Sequence, residues 1–156
     1  MRKMVIAVLV TCMFALVSAL SASGVGAAND EPGPLVCTFE ADVVWEPTPY
    51  WTGTVTGDIS GSIILMENPA TFPGTTEHFD ESCTITTTDG VVIQGYDLGV
   101  YNLKTFKFRA NGGITDVSSP AWEYLVGYNL HFSGTTTPLV MGGDVHATGT
   151  IMLMAP

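Results

Sequence analysis

Positive charge is scarce in this 156-residue chain: five Lys and Arg stand against fifteen Asp and Glu, a formal net charge of −10. Two of the five, Arg2 and Lys3, open the chain, so from residue 29 onward Lys104, Lys107 and Arg109 face all fifteen acids, a formal −12. Such a surface repels phosphate backbones, which argues against nucleic acid as a partner. Cysteine is scarce too, with three residues, and no Cys or His pair has the spacing of a zinc site. The three histidines, His78, His131 and His146, are scattered, so no metal is expected. No stretch carries the period of a long amphipathic helix, and no internal repeat of solenoid or propeller length is present. Phosphate-binding loops, dinucleotide fingerprints, zinc-protease pairs, nucleophile elbows and calcium loops are all missing, and with them the chemistries those motifs serve.

There is one long apolar run, Met4 to Leu20, following Arg2 and Lys3. Small residues then lead to Val25-Gly26-Ala27 and Gly26-Ala27-Ala28, both fit for cleavage. This is the three-part layout of a secretory signal peptide. The expected division is therefore a signal peptide over 1–28 and a single domain over 29–156, secreted or extracytoplasmic. An uncleaved anchor is the competing reading. No second apolar run follows, so no stable membrane insertion is expected after cleavage. Cys12 belongs to the leader, which leaves Cys37 and Cys83. In an oxidising compartment two cysteines form one disulfide or remain two buried thiols, and the disulfide is the expectation.

What the chain does contain is alternation. LVCTFEADVVW (35–45) puts Cys37, Phe39, Ala41, Val43 and Trp45 on one face, and WTGTVTGDISGSIIL (51–65) does so with Val55, Ile59, Ile63 and Leu65. Asp89-Gly90 and Asn111-Gly112 read as two-residue hairpin turns, because both supply the positive φ angles such turns demand. The first turn pairs Cys83 with Tyr96 and Phe79 with Val100, which puts Tyr96, Leu98 and Val100 on the face of Phe79, Cys83 and Ile85. The second pairs Lys107 with Asp116. AWEYLVGYNLHFSG (121–134) sets Trp122, Tyr124, Tyr128, Leu130 and Phe132 against Glu123, Asn129, His131 and Ser133. DVHATGTIMLM (144–154) closes the series. Seven or eight short strands must hide their edges, and an all-β, closed antiparallel up-and-down barrel of about eight strands does so most economically. A two-sheet sandwich is the runner-up.

Two ways of lining the interior follow. With the aromatic face inward, Trp122, Tyr124, Tyr128, Phe132 and Tyr96 form a wall for a flat, apolar small molecule. With the barrel inverted, Glu123 acts as a general acid or base with His131 as partner, and Glu40 is a further candidate. The first arrangement is the expectation.

The order GTVTGDISGSI, FDESCTITTTDGVVIQGYDLGV, FKFRANGGITDVSSPAWEYLVGYNLHFSG and GTIML resembles the allene oxide cyclase-like barrels, a group that also resembles plant dirigent proteins. The likeness spans most of residues 52 to 153 and rests on a glycine-and-strand rhythm. It implies an eight-stranded barrel with a ligand-sized interior, in a group that often forms trimers. It also implies cyclisation or guided coupling without a metal or organic cofactor, so no cofactor is expected. A non-catalytic binder of a small apolar molecule or an extracellular structural module is the leading expectation for function. A cofactor-free cyclase or dirigent-like guide is the alternative, and a self-associating surface protein a third reading.

Overall fold

The computed structural model describes residues 33–46 and 48–156, so the signal peptide read at 1–28 lies outside the described residues. The chain forms one closed antiparallel barrel of eight strands in simple up-and-down order: β1 (Leu35–Val44), β2 (Tyr50–Gly57), β3 (Gly61–Glu67), β4 (Thr76–Thr87), β5 (Val92–Asn102), β6 (Lys107–Val117), β7 (Asn129–Thr136) and β8 (His146–Met154). β8 pairs with β1, which removes both sheet edges. The alternation on β1 holds as read: Cys37, Phe39 and Ala41 are buried while Val36, Thr38, Glu40 and Asp42 face out.

Asp89-Gly90 does lie in the turn from β4 to β5, but the loop has three residues, not two. Thr87 bonds Val91 across it, and the Gly90 amide donates to the Thr87 carbonyl at 2.9 Å. Gly90 has a φ of +85°, as the last position of such a loop requires. One extra residue shifts the pairing by one: Cys83 faces Gly95, Phe79 faces Gly99 and Glu81 faces Asp97. A shift of one turns every β5 side chain to the opposite face. Ile93, Asp97 and Tyr101 therefore point inward, while Tyr96 and Leu98 are exposed.

Asn111-Gly112 is not a turn. It lies inside β6, which runs unbroken past it, and Lys107 pairs with Asn102 and Thr135 rather than Asp116. A Cβ on Gly112 would sit 1.7 Å from the Tyr96 carbonyl oxygen, so this glycine permits close approach of β5 and β6 instead of reversing the chain.

The alternation over 121–134 breaks into two elements. Pro120–Leu125 is a short 3-10 helix, and β7 begins at Asn129. Pro120 sits in the helix's first turn, where its missing N–H costs nothing. The helix drops Leu125, wholly buried, into the barrel end bounded by the β2–β3 and β4–β5 turns. Ile59, Ile85, Ile93, Ile114, Leu130 and Leu153 fill that end solidly.

The expected disulfide is not formed. Cys37 and Cys83 are free, buried thiols. They stand on β1 and β4, three strand spacings apart around the wall, each spacing about 4.8 Å. A disulfide requires Cα atoms within about 7 Å. Burial raises the pKa of both thiols, most strongly at Cys83, where Asp97 and Glu81 add to the effect.

Candidate functional site

The other half of the barrel is not filled. A cavity of about 530 Å³ opens between the β1–β2, β3–β4 and β7–β8 loops. Phe39, Trp51, Phe79, Phe108 and Phe132 form its wall, with Ala41 and Ala147 where β1 meets β8. Its mouth is rimmed by Trp45, Pro49, Phe72, Leu139 and Met141. The Trp45 indole donates to the Gly143 carbonyl at 2.7 Å, tying the β1–β2 and β7–β8 loops together.

Inner glycines give the aromatic rings their places. Phe79 lies over Gly99, Phe108 over Gly134 and Phe39 over Gly149; in each case the glycine is the ring's direct partner on the next strand. A Cβ at any of the three would fall within 2.8 Å of the ring or nearer. The rings therefore lie against the wall rather than across the lumen, which leaves the centre open.

Acids stand among these apolar side chains. Glu77 and Glu81 share the inner face of β4 with Phe79, Cys83 and Ile85. Glu67 ends β3 and pairs directly with Glu81, which pairs on its other side with Asp97 of β5. Glu67, Glu81 and Asp97 thus form a cross-strand row of three carboxyl groups. Glu67, Glu77 and Glu81 line the cavity. The Trp51 indole donates to Glu67 at 3.0 Å. Asp97 is fully buried, and neither of its carboxylate oxygens has a hydrogen-bond partner among the described residues. Among the described residues no Lys, Arg or His lines the cavity.

Burial of this kind penalises the charged form. Desolvation pushes Glu77 up to about 7, with Glu67 adding repulsion. Desolvation and the neighbouring charges of Asp97 and Glu67 drive Glu81 well above the usual carboxylate range. Desolvation carries Asp97 to about 7, opposed by its contact with Glu81. Glu67 is raised by desolvation and pulled partly back by the Trp51 bond. At neutral pH the row holds shared protons in an apolar chamber.

Of the residues singled out from the sequence, Phe132 alone lines the cavity. Tyr128 is buried at the filled end, with its ring centroid 6.1 Å from that of Tyr124. Tyr124 is exposed and Trp122 half-buried on the 3-10 helix, and Tyr96 lies on the outer wall. Glu123 and His131 do not share a face: Glu123 sits on the exposed side of the helix, while His131 lies on the outer face of β7, its Nδ1 2.7 Å from Asn111 Oδ1. Glu40 projects outward from β1. His146 lies 2.7 Å from Asp42 on the outer surface, and His78 is exposed. Among the described residues no group of side chains is placed to hold a metal ion.

The fold and the chamber define a closed eight-stranded barrel with a lumen open at one end. No family model matches the chain, and no curated protein matches it. Among solved structures it is similar to a conserved protein of unknown function from Rhodopseudomonas palustris, at 17% identity and a TM-score of 0.47, over 76% of this chain and 95% of that one.

Proposed function

We propose that the lumen binds a small, mostly apolar molecule, and that the protein works outside the cytoplasm after removal of residues 1–28. The carrying observation is the chamber of about 530 Å³, walled by aromatic rings and open at one mouth. That size suits a ligand of one or two fused rings or a medium-length chain. The acids at the chamber's floor and side give such a ligand one polar anchor.

The carboxyl groups favour a second reading, a cofactor-free cyclase or isomerase. A carboxyl held near pKa 7, as Glu77 is, suits a general acid at neutral pH. In that reading Glu77 or the Glu81–Asp97 pair delivers a proton to a carbonyl, epoxide or alkene held against the phenyl wall.

The test for the first reading is titration with N-phenyl-1-naphthylamine, a probe that is neutral at pH 7 and brightens in apolar surroundings. Saturable one-to-one binding with quenching of Trp51 emission is the expected result. A linear, unsaturable signal overturns the reading.

A further inference from the structure

Among the described residues, every charged side chain that reaches the lumen is an acid. Glu67 comes from β3, Glu77 and Glu81 from β4, and Asp97 from β5. Cys83 and Tyr101, the other titratable groups on these inner faces, are not cations, and β6 brings Gly112 opposite Asp97. The chain's three basic residues beyond the leader, Lys104, Lys107 and Arg109, are exposed. Buried charged groups are ordinarily paired with an opposite charge, yet among the described residues the wholly buried Asp97 meets no cation and lies against another acid, Glu81. Asp97 stands directly opposite Glu81, whose side chain is on the chamber wall. A neutral apolar ligand needs none of this. A cation draws on all of it: carboxyl groups that ionise as it arrives, in a dry chamber, with aromatic side chains on the same wall.

We propose that the lumen's ligand is an organic cation, an apolar body bearing one protonated amine, with its ammonium group set against the Glu67–Glu81–Asp97 row and its body against the phenyl wall. The inference rests on the lumen being a binding site, as proposed above. The ammonium donates to Glu67 and Glu81, the two members of the row that line the chamber, with Asp97 paired beside Glu81, and the aromatic side chains of Trp51 and Phe79 line the same wall. The strongly acidic surface draws cations toward the mouth and disfavours anions. Binding also releases protons. The empty row holds them, and an arriving ammonium favours the ionised carboxylates. Amine affinity therefore rises with pH through the range in which the row ionises, while the amine itself stays protonated.

The experiment is calorimetric titration of the full secreted protein with two probes of one shape, 2-naphthylmethylamine and 2-naphthylmethanol. The amine is expected to bind about tenfold or more tightly than the alcohol at about pH 8, and to lose that margin near about pH 5. The alcohol's affinity is expected to stay flat. In the Glu67→Gln, Glu81→Gln, Asp97→Asn triple variant, checked for fold by circular dichroism, the amine should fall to the alcohol's affinity. Equal binding of both probes by the unaltered protein overturns the inference but leaves the binding site standing. Binding of neither probe overturns both. An amine preference that survives in the triple variant overturns the assignment of the row as its partner. Should the triple variant not fold, the ratio of the two probes in the unaltered protein, and its pH dependence, still decides the matter.

Discussion

Glu77 is nine-tenths buried in an apolar wall, and its pKa of about 7 ties the protein's stability to pH. The folded chain keeps this proton to a higher pH than the unfolded chain does. Between about pH 4 and about pH 7 the folded state therefore binds more protons, and stability falls as pH rises through that window. Above it the loss is complete. Glu77→Gln removes the charge and keeps the shape, so at about pH 8 it should stabilise the protein by about 2 kcal/mol, and below about pH 4 by almost nothing. Urea unfolding at the two pH values checks this; an equal effect at both would mean that Glu77 is ionised as freely in the fold as in the open chain. The acids that matter were half legible. Alternation places Phe79, Cys83 and Ile85 on one face, and the same parity puts Glu77 and Glu81 beside them. Acids in strands ordinarily face water, so the alternation does not single these two out. Asp97 was not legible at all, since its direction depends on a register that one extra loop residue reversed.

At the scale of elements, local signals held where the chain does one thing at a time. β1 and β8 alternate as the sequence reads, burying Cys37, Phe39 and Ala41 on one and Ala147, Ile151 and Leu153 on the other. The failures came where a signal has two physical meanings. Asn-Gly supplies a turn, but glycine also lets two strands approach, and at Gly112 the second use prevails. Gly112→Ala should therefore cost about 1–3 kcal/mol, seen as a lower urea midpoint, because its Cβ would meet backbone rather than a movable side chain. A surface loop glycine there would tolerate alanine far better. The segment Pro120–Leu125 mimics a strand because its aromatic residues happen to fall on alternate positions, while Pro120 and a single buried residue, Leu125, define a turn of helix. The two readings differ in which side chain carries the load. Leu125→Ala should destabilise by about 2–5 kcal/mol. Tyr124→Ala, at an exposed position, should stay within about 0.5 kcal/mol of the parent. A strand with its aromatic face inward would give the reverse order, so thermal melts of the two variants discriminate directly.

The whole molecule divides its interior between stability and binding. The end capped by Leu125 is packed solid, and the end ringed by the β1–β2, β3–β4 and β7–β8 loops is open. An empty apolar chamber deprives its wall of contacts, so the open end contributes less to stability than its apolar residues would if packed. That makes filling it informative. Ala41 and Ala147 face each other across β1 and β8 at the chamber wall, both nearly inaccessible and both small. Ala147→Phe sends a ring into space the fold leaves vacant. If the chamber is the binding site, this variant should weaken N-phenyl-1-naphthylamine binding about tenfold or more, since the ligand must give up the volume the ring takes. It should at the same time hold or gain thermal stability, by about 0.5–2 kcal/mol, because a filled void restores wall contacts. The joint outcome carries the argument. Lost binding with lost stability would mean only that the barrel is damaged, while kept binding with gained stability would place the probe somewhere other than the lumen. Lost binding in a barrel as stable as before, or more so, ties the probe to this chamber.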